Sequence, residues 1–143
     1  MVDEGRLARL LRAIAERTDR LAGAAASPTG RADQLWLDGV KYLFLTTIEA
    51  CVDVAHHIAA SERLGAPDTN AAAIRLLGEH GIIDEAIAHD LARAVGFRNV
   101  LVHQYTDVDD RVVLDALDRL GTFRAFVTQV SAWLLAHGDA SGA

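Results

Sequence analysis

The fold is decided by one long apolar stretch, residues 31–63, which reads RADQLWLDGVKYLFLTTIEACVDVAHHIAASER. Its core-facing side chains recur every three or four residues, the spacing that places them on one face of an α-helix. They are Trp36, Val40, Leu43, Phe44, Thr47, Ile48, Cys51, Ala55 and Ile58. At about 1.5 Å per residue the helix spans about 45 Å, the length of a small domain. The stretch therefore predicts a long central helix.

Four further helices are predicted around the central one by the same spacing. They run from an Asp3 cap to about Leu21, from Thr69 or Asn70 to Leu77, from an Asp84 cap through residue 105, and from Asp109 or Asp110 onward. No segment reads as a strand. We expect an all-α, up-and-down bundle of four to five helices with one long central helix. The bundle forms a single domain of residues 1–137, followed by a disordered tail of residues 138–143.

Composition narrows the function classes. The net charge of −6 over 143 residues argues against indiscriminate nucleic-acid binding but leaves room for a small phosphate site. A single cysteine, Cys51, excludes an internal disulfide. Lys41, Glu49 and Asp53 interrupt the most apolar run, so we expect no membrane span and no membrane partner. The N-terminus lacks the apolar core of a signal peptide, and a cytoplasmic location follows as an expectation.

The first helix carries an arginine face formed by Arg6, Arg9, Arg12, Arg17 and Arg20, with Glu16 among them. Such a face suits RNA binding, but runs of charge on a helix are more often simply solvated. A solvated face is therefore the interpretation that the sequence favours.

A second stretch departs from the amphipathic pattern. Residues 96–105 read GFRNVLVHQY and contain an arginine, an imidazole, two amides and a phenol within a short apolar run. On an ideal helix Arg98 and His103 lie about 140° apart, whereas Asn99 and His103, four residues apart, share a face. Either the helix frays or tightens near His103, or the arginine of one subunit acts with the histidine of another.

Other chemistries fit the sequence less well. Asp53-x-x-His56, with Glu49 one turn earlier, has a spacing found in di-metal helical bundles, but no matching pair occurs elsewhere, so we expect no metal and no cofactor. The polar band of Glu49, Asp53, His56 and His57 is compatible with an active-site groove, a partner chain or an exposed edge. Cys51 lies in the apolar stripe, where its thiol has no activating neighbour.

The residues Arg98-x4-His103-x-Tyr105 within this decapeptide resemble the signature of the HEPN superfamily, and specifically the HepT-like toxins of bacterial and archaeal toxin–antitoxin pairs. The resemblance extends to residues 48–58 on the central helix and to residues 77–83 before the motif helix. It covers the chain from the first helix to about residue 135.

The resemblance implies a helical homodimer whose two motifs meet in a cleft, and a metal-independent endoribonuclease acting on RNA. His103 would be the general base or acid, and Arg98 would hold the scissile phosphate and stabilise its developing charge. Asn99, Glu49 and Asp53 would support them by orienting phosphate, Arg98 or His103. The family also implies a nucleotidyltransferase-type antitoxin that attaches AMP to Tyr105, and the added charge next to His103 would block an RNA backbone.

Two alternatives remain open from the sequence. In the first, the protein is a non-catalytic helical module that binds a nucleotide or a nucleotidyltransferase, with Arg98 on phosphate and His103 structural. In the second, it is a helical dimer scaffold with a buried polar motif.

Overall fold

The computed structural model describes residues 2–27, 33–103 and 109–142, and in these residues every regular element is a helix. Six α-helices and one turn of 3₁₀-helix follow one another. They are α1 (Glu4–Ala25), α2 (Gln34–Ser61), α3 (Asn70–Glu79), α4 (Glu85–His103), α5 (Asp110–Ala116), the 3₁₀ turn (Leu117–Arg119) and α6 (Gly121–Gly142). The all-α bundle is thereby confirmed.

The long central helix is also confirmed, as α2. It begins after Asp33, whose carboxylate accepts a hydrogen bond from the backbone N–H of Leu35 and so caps the first turn. Its predicted core stripe is buried except for Trp36, which is half-buried. Helices α1, α3 and α4 all pack against it. The predicted start at Arg31 lies outside the described residues.

Of the described helices, only α2 is long and apolar enough to cross a membrane, which differs from the sequence expectation that none is. Core helices of soluble proteins share this length and composition, and 61% of the most apolar window of α2 is buried inside the protein. The finding is therefore weak support for a membrane span.

The first helix begins as predicted, because the side chain of Asp3 accepts a hydrogen bond from the backbone N–H of Arg6. It ends later than predicted, at Ala25. The helix continues through Gly23, where a Cβ would meet no heavy atom within 4 Å. The glycine therefore does not end the helix as expected.

Helices α3 and α4 form a tight hairpin that positions the motif helix. Helix α3 starts at the predicted position, with the side chain of Thr69 as its cap, and it ends at Glu79, two residues later than predicted. Gly81, with φ of +72°, turns the chain after α3, and Ile82 donates back to the carbonyl of Leu77. A Cβ on Gly78 would lie 2.7 Å from the Cβ of Ala88, so the missing side chain allows α3 and α4 to pack closely.

The prediction of a single last helix was wrong. The chain forms α5, one 3₁₀ turn and α6 instead. Leu117, Leu120 and Phe123 are all buried at intervals of three residues, and a 3₁₀ turn places side chains three apart on the same side. The 3₁₀ turn is therefore consistent with the burial of apolar side chains that a continuous α-helix would spread further around its circumference.

The backbone of α6 is helical to Gly142. The division into a domain of residues 1–137 and a disordered tail of residues 138–143 stays a prediction.

Candidate active site

Arg98 lies near the C-terminal end of α4 and reaches across to α2. Its Nη2 donates a hydrogen bond to Oε1 of Glu49 at 2.6 Å, and its Nη1 donates to Oδ1 of Asn99 at 3.1 Å. The arginine side chain is 22% exposed and that of Glu49 is 47% exposed. Short bonds between a guanidinium and a carboxylate are strong and directional. The guanidinium is therefore held in a fixed orientation at the surface between α2 and α4.

The guanidinium of Arg98 retains unused donors. An arginine carries five N–H groups, and one bond each goes to Glu49 and Asn99. The Nε atom is buried and has no hydrogen-bond partner among the described residues. Leaving a buried donor unpaired costs about 1–3 kcal/mol, so this arrangement is not the most stable one for an arginine. The remaining Nη hydrogens are suited to a bound anion.

His103 is the last residue of α4 and is exposed. Because α4 remains α-helical to this residue, the angular separation of about 140° from Arg98 holds within one chain. Arg98 turns inward to Glu49, whereas the His103 imidazole makes no hydrogen bond or ion pair with any described residue. Up to His103, the last residue described before the gap at 104–108, α4 neither frays nor tightens to bring the two together.

Exposed apolar side chains lie beside the Arg98–Glu49 pair. On α2 Tyr42 is 62% exposed, and on α4 Val102 is 44% exposed. Val102 lies four residues after Arg98, and Tyr42 lies seven residues before Glu49, so each shares a face with the pair. The pair is therefore set in a partly apolar surface.

The other predicted site residues stand in different positions. Asn99 is exposed and bonded to Arg98. Asp53 is exposed one turn after Glu49 and makes no hydrogen bond or ion pair with a described residue. Tyr105 lies outside the described residues. The structure thus brings together Arg98, Asn99 and Glu49, and leaves Asp53 and His103 separate from them within one chain.

A cleft of about 790 Å³ opens between α2, α4 and the α5–α6 region. Phe44, Phe97 and Phe123 line it, with the ring centroids of Phe44 and Phe97 5.7 Å apart in an edge-on arrangement. Phe97 immediately precedes Arg98, so the cleft borders the motif. Charged side chains also line it, namely Asp90, Arg93, Asp115, Asp118 and Arg119.

The metal and thiol chemistries find no support in the described residues. No group of three or more His, Cys, Asp or Glu side chains in this part of the chain is placed to hold a metal ion. His56 is instead hydrogen-bonded through Nε2 to Oδ1 of Asn70 at 3.0 Å, which joins α2 to α3. Cys51 is fully buried, as expected, and burial raises the pKa of its thiol far above the ordinary value.

Sequence reasoning missed Lys41, which it treated only as an interruption of an apolar run. Its side chain is 4% exposed, and its Nζ lies 3.5 Å from Oδ1 of Asp110. This ion pair joins α2 to the first turn of α5, just beyond the motif. The available signal was that Lys41 is the one lysine in the sequence and stands inside an apolar stripe.

Known proteins resemble this chain in both sequence and fold. A family model described as ribonuclease HepT-like matches residues 10–130. An mRNA nuclease HepT of Shewanella oneidensis is 31% identical over 85 residues, 59% of this chain and 64% of that protein. A tRNA nuclease HepT of Aphanizomenon flos-aquae is 32% identical over 88 residues, 61% of this chain and 60% of that protein. The chain thus spans less than two thirds of the length of these curated relatives.

Solved structures match at lower identity and show the fold alone. A crystal structure of a toxin–antitoxin with AMP-PNP has a TM-score of 0.84 at 23% identity, covering 90% of this chain and 99% of that one. A tri-AMPylated HEPN toxin of Shewanella oneidensis in complex with its MNT antitoxin has a TM-score of 0.82 at 24% identity, covering 92% and 99%.

A cytosolic Bacillus subtilis protein of unknown function, YutE, has a TM-score of 0.85 at 14% identity, covering 95% and 93%. The same fold therefore occurs with and without an assigned activity. The family model nevertheless covers most of the chain, including Glu49, Arg98 and His103. The chain belongs to the ribonuclease HepT-like family.

Proposed function

We propose that this protein is the toxin of a toxin–antitoxin pair and cleaves RNA as a metal-independent endoribonuclease. The observation that carries the proposal is the Arg98 guanidinium, held by Glu49 at 2.6 Å with donors to spare, on the same helix as an exposed His103. Relatives named as mRNA and tRNA nucleases support RNA as the substrate class.

The chemistry uses the nucleophile that RNA itself carries. His103 as general base removes the proton of the 2′-hydroxyl, and the 2′-oxygen attacks the adjacent phosphorus. The bond from phosphorus to the 5′-oxygen breaks, and that oxygen takes up a proton from a general acid. The products are a 2′,3′-cyclic phosphate and a 5′-hydroxyl. Arg98 binds the phosphate and stabilises the charge that develops on its oxygens.

The site is assembled from two subunits in this proposal. Arg98 and His103 point in different directions along a continuous α4, and the apolar side chains of Tyr42 and Val102 are exposed beside Arg98. A second copy covering that surface would bury these side chains and bring its own His103 toward Arg98. The arginine of one subunit then acts with the histidine of the other.

Mixing two inactive variants tests the shared site. Arg98→Ala and His103→Ala are each expected to be inactive. In their heterodimer, one of the two sites keeps both residues only if they come from different subunits. An equimolar mixture that exchanges freely then recovers about a quarter of the wild-type activity. No recovery in a mixture shown to contain heterodimers would place both residues of a site in one chain.

Control by the antitoxin is the second part of the proposal. One structural relative is a tri-AMPylated HEPN toxin bound to an MNT antitoxin. Tyr105, two residues after His103, is the proposed acceptor of AMP in this chain. The attached phosphate would repel the RNA backbone and compete for Arg98.

The decisive test is cleavage of RNA in the presence of EDTA. We expect the wild-type protein to leave 2′,3′-cyclic phosphate ends and His103→Ala to leave the RNA intact. His89→Ala is the matched control, because His89 is also an exposed imidazole on α4. Absence of cleavage by the wild-type protein, with Tyr105 shown by mass spectrometry to be unmodified, would contradict the ribonuclease proposal.

A non-catalytic binding module is the second candidate. One observation favours it. The Glu49 carboxylate already accepts a hydrogen bond from Arg98, and this negative charge would repel the phosphates of an RNA strand. In this case His103→Ala would leave every activity and any growth phenotype unchanged. A loss of toxicity in His103→Ala would exclude it.

A further inference from the structure

The arginines of α1 are unpaired in a protein that has an excess of acidic groups. Helix α1 carries five arginines against three acidic residues, while the whole chain has a net charge of −6. Within the described residues, none of the five makes an ion pair or a side-chain hydrogen bond, although Arg17 is half-buried and the other four are exposed. The charges are thus concentrated and available.

This arrangement does not stabilise α1. Arg6, Arg9 and Arg12 follow one another at intervals of three residues, and like charges at that spacing repel by about 0.2–0.5 kcal/mol per pair. Glu16 lies four residues from both Arg12 and Arg20 and forms an ion pair with neither. The charges of these arginines therefore bring α1 no ion-pair stabilisation, and a bound polyanion would neutralise them.

The orientation of α1 follows from two contacts at its flanks. The backbone N–H of Asp3 donates to Nε2 of His57 on α2, and Asp19 accepts from Nη1 of Arg124 on α6. On an ideal helix Arg6 and Arg17 lie about 140–160° around the axis from Asp19. Because Asp19 is on the α6 side, Arg6 and Arg17 are on the flank next to α2.

The same contacts give the level of the arginines along the bundle. With Asp3 beside His57, α1 runs antiparallel to α2, and Glu49 lies eight residues before His57, or about 12 Å along the axis. That level falls near Leu11 of α1. Arg6 and Arg17 therefore stand about 8–9 Å to either side of the level of the Arg98–Glu49 pair. They border the exposed face of α2 from which that pair is reached.

Arg9 and Arg20 each follow one of these two arginines by three residues, about 60° around the axis, and are exposed. We propose that Arg6, Arg9, Arg17 and Arg20, here called the α1 arginine edge, bind the backbone phosphates of an RNA strand next to the site. The inference rests on the proposed function and extends it to a binding surface. Arginine binds phosphate in a bidentate manner, and positively charged surfaces that follow a single strand are the usual means of sequence-tolerant binding. This surface also explains how a protein of net charge −6 approaches RNA.

Binding is measured in the His103→Ala background, so that the RNA stays intact. The test variant adds Arg6→Gln and Arg17→Gln, and the control adds Arg63→Gln and Arg75→Gln, two exposed arginines outside α1 with the same charge change. We expect the test variant to raise the Kd for a labelled single-stranded RNA about tenfold at 0.1 M salt, and to lower the slope of log K against log salt by about 1.4.

The control variant should bind as the His103→Ala protein does. Equal Kd values and equal salt slopes for the test and control variants would overturn the inference. Thermal melting checks that both variants fold. An unchanged Kd for RNA together with weakened binding of the antitoxin would assign the edge to an acidic protein partner instead, and would equally overturn it.

Cleavage with His103 intact separates this inference from the proposed function. We expect Arg6→Gln/Arg17→Gln to raise KM for a long RNA while leaving its kcat unchanged, and to leave cleavage of a dinucleotide unchanged, because a dinucleotide is too short to reach α1. If the wild-type protein cleaves RNA and the double variant has the same KM and kcat, the α1 arginine edge is rejected and the ribonuclease proposal stands. No cleavage by the wild-type protein would reject the ribonuclease proposal itself.

Discussion

Two arginine–carboxylate contacts join helices that are far apart in the sequence, and they differ in their surroundings. Arg124 Nη1 lies 2.8 Å from Oδ1 of Asp19, and both side chains are well exposed, at 50% and 69%. Arg98 Nη2 lies 2.6 Å from Oε1 of Glu49, and the Arg98 side chain is only 22% exposed. The first contact joins α6 to α1, and the second joins α4 to α2 within the motif.

We infer from these surroundings that the two contacts serve different purposes. An exposed pair contributes about 0.2–1 kcal/mol and is readily screened, so the Arg124–Asp19 contact is a minor structural link. The Arg98 contact is more sheltered but includes a buried Nε without a partner among the described residues. An unpaired buried donor lowers stability, so we interpret this contact as positioning Arg98. We therefore expect mutations of the two pairs to separate activity from stability.

The largest effect is expected on RNA cleavage. Arg98→Ala removes the phosphate-binding guanidinium and should lower kcat by about a hundredfold or more, as loss of a transition-state donor does in other enzymes. Arg124→Ala, an equal truncation of an arginine in the other contact, should cleave RNA at the wild-type rate. A metal-free assay of initial rates with both variants measures the difference.

Thermal melting of the same two variants provides the control. Both melting temperatures should stay close to that of the wild-type protein, because Arg98→Ala removes an unpaired buried donor along with the ion pair. A sharp fall for Arg98→Ala, with wild-type activity at low temperature, would instead identify the motif as a scaffold element.

A smaller effect on cleavage is expected from the carboxylates. Glu49→Ala leaves Arg98 in place but releases it from α2, and misplacement of a catalytic group by about 1 Å costs up to about a hundredfold. We expect kcat to fall by about tenfold, whereas Asp19→Ala leaves it unchanged. Glu49→Gln, which keeps an acceptor for Arg98, should restore part of the loss. Faster cleavage by Glu49→Ala would show that the carboxylate competes with RNA.

Local signals account for most of the fold that the sequence predicted. The cap of Asp3 was recognisable because a capping side chain bonds to a backbone N–H two or three residues away. The spacing of apolar side chains in α2 was equally easy to recognise. The break at Leu117–Arg119 was not, because it depends on which side chains the rest of the core can bury, a property of the assembled bundle.

The site was also predictable only in part, because its residues could be identified from the sequence but its long-range contacts could not. Arg98, Asn99 and His103 were identified from a short motif, and Glu49 through the resemblance of the α2 segment. The bond between Arg98 and Glu49 joins residues 49 apart, and spacing alone does not predict such a contact. The burial of Lys41 was missed for a related reason, since its carboxylate partner Asp110 comes from a helix far along the chain.

The smallest expected effect is the coupling energy within each pair. A double-mutant cycle of Arg124→Ala and Asp19→Ala should give about 0.2–1 kcal/mol, and the value should fall toward zero in 1 M salt because exposed charges are screened within about 3 Å. The cycle of Arg98→Ala and Glu49→Ala should give about 1–1.5 kcal/mol, since the more sheltered arginine is screened less. Urea denaturation at low and high salt measures both. Equal coupling energies with the same salt dependence would mean that burial does not distinguish the two contacts, and the case for Glu49 as the residue that orients Arg98 would then depend on cleavage rates alone.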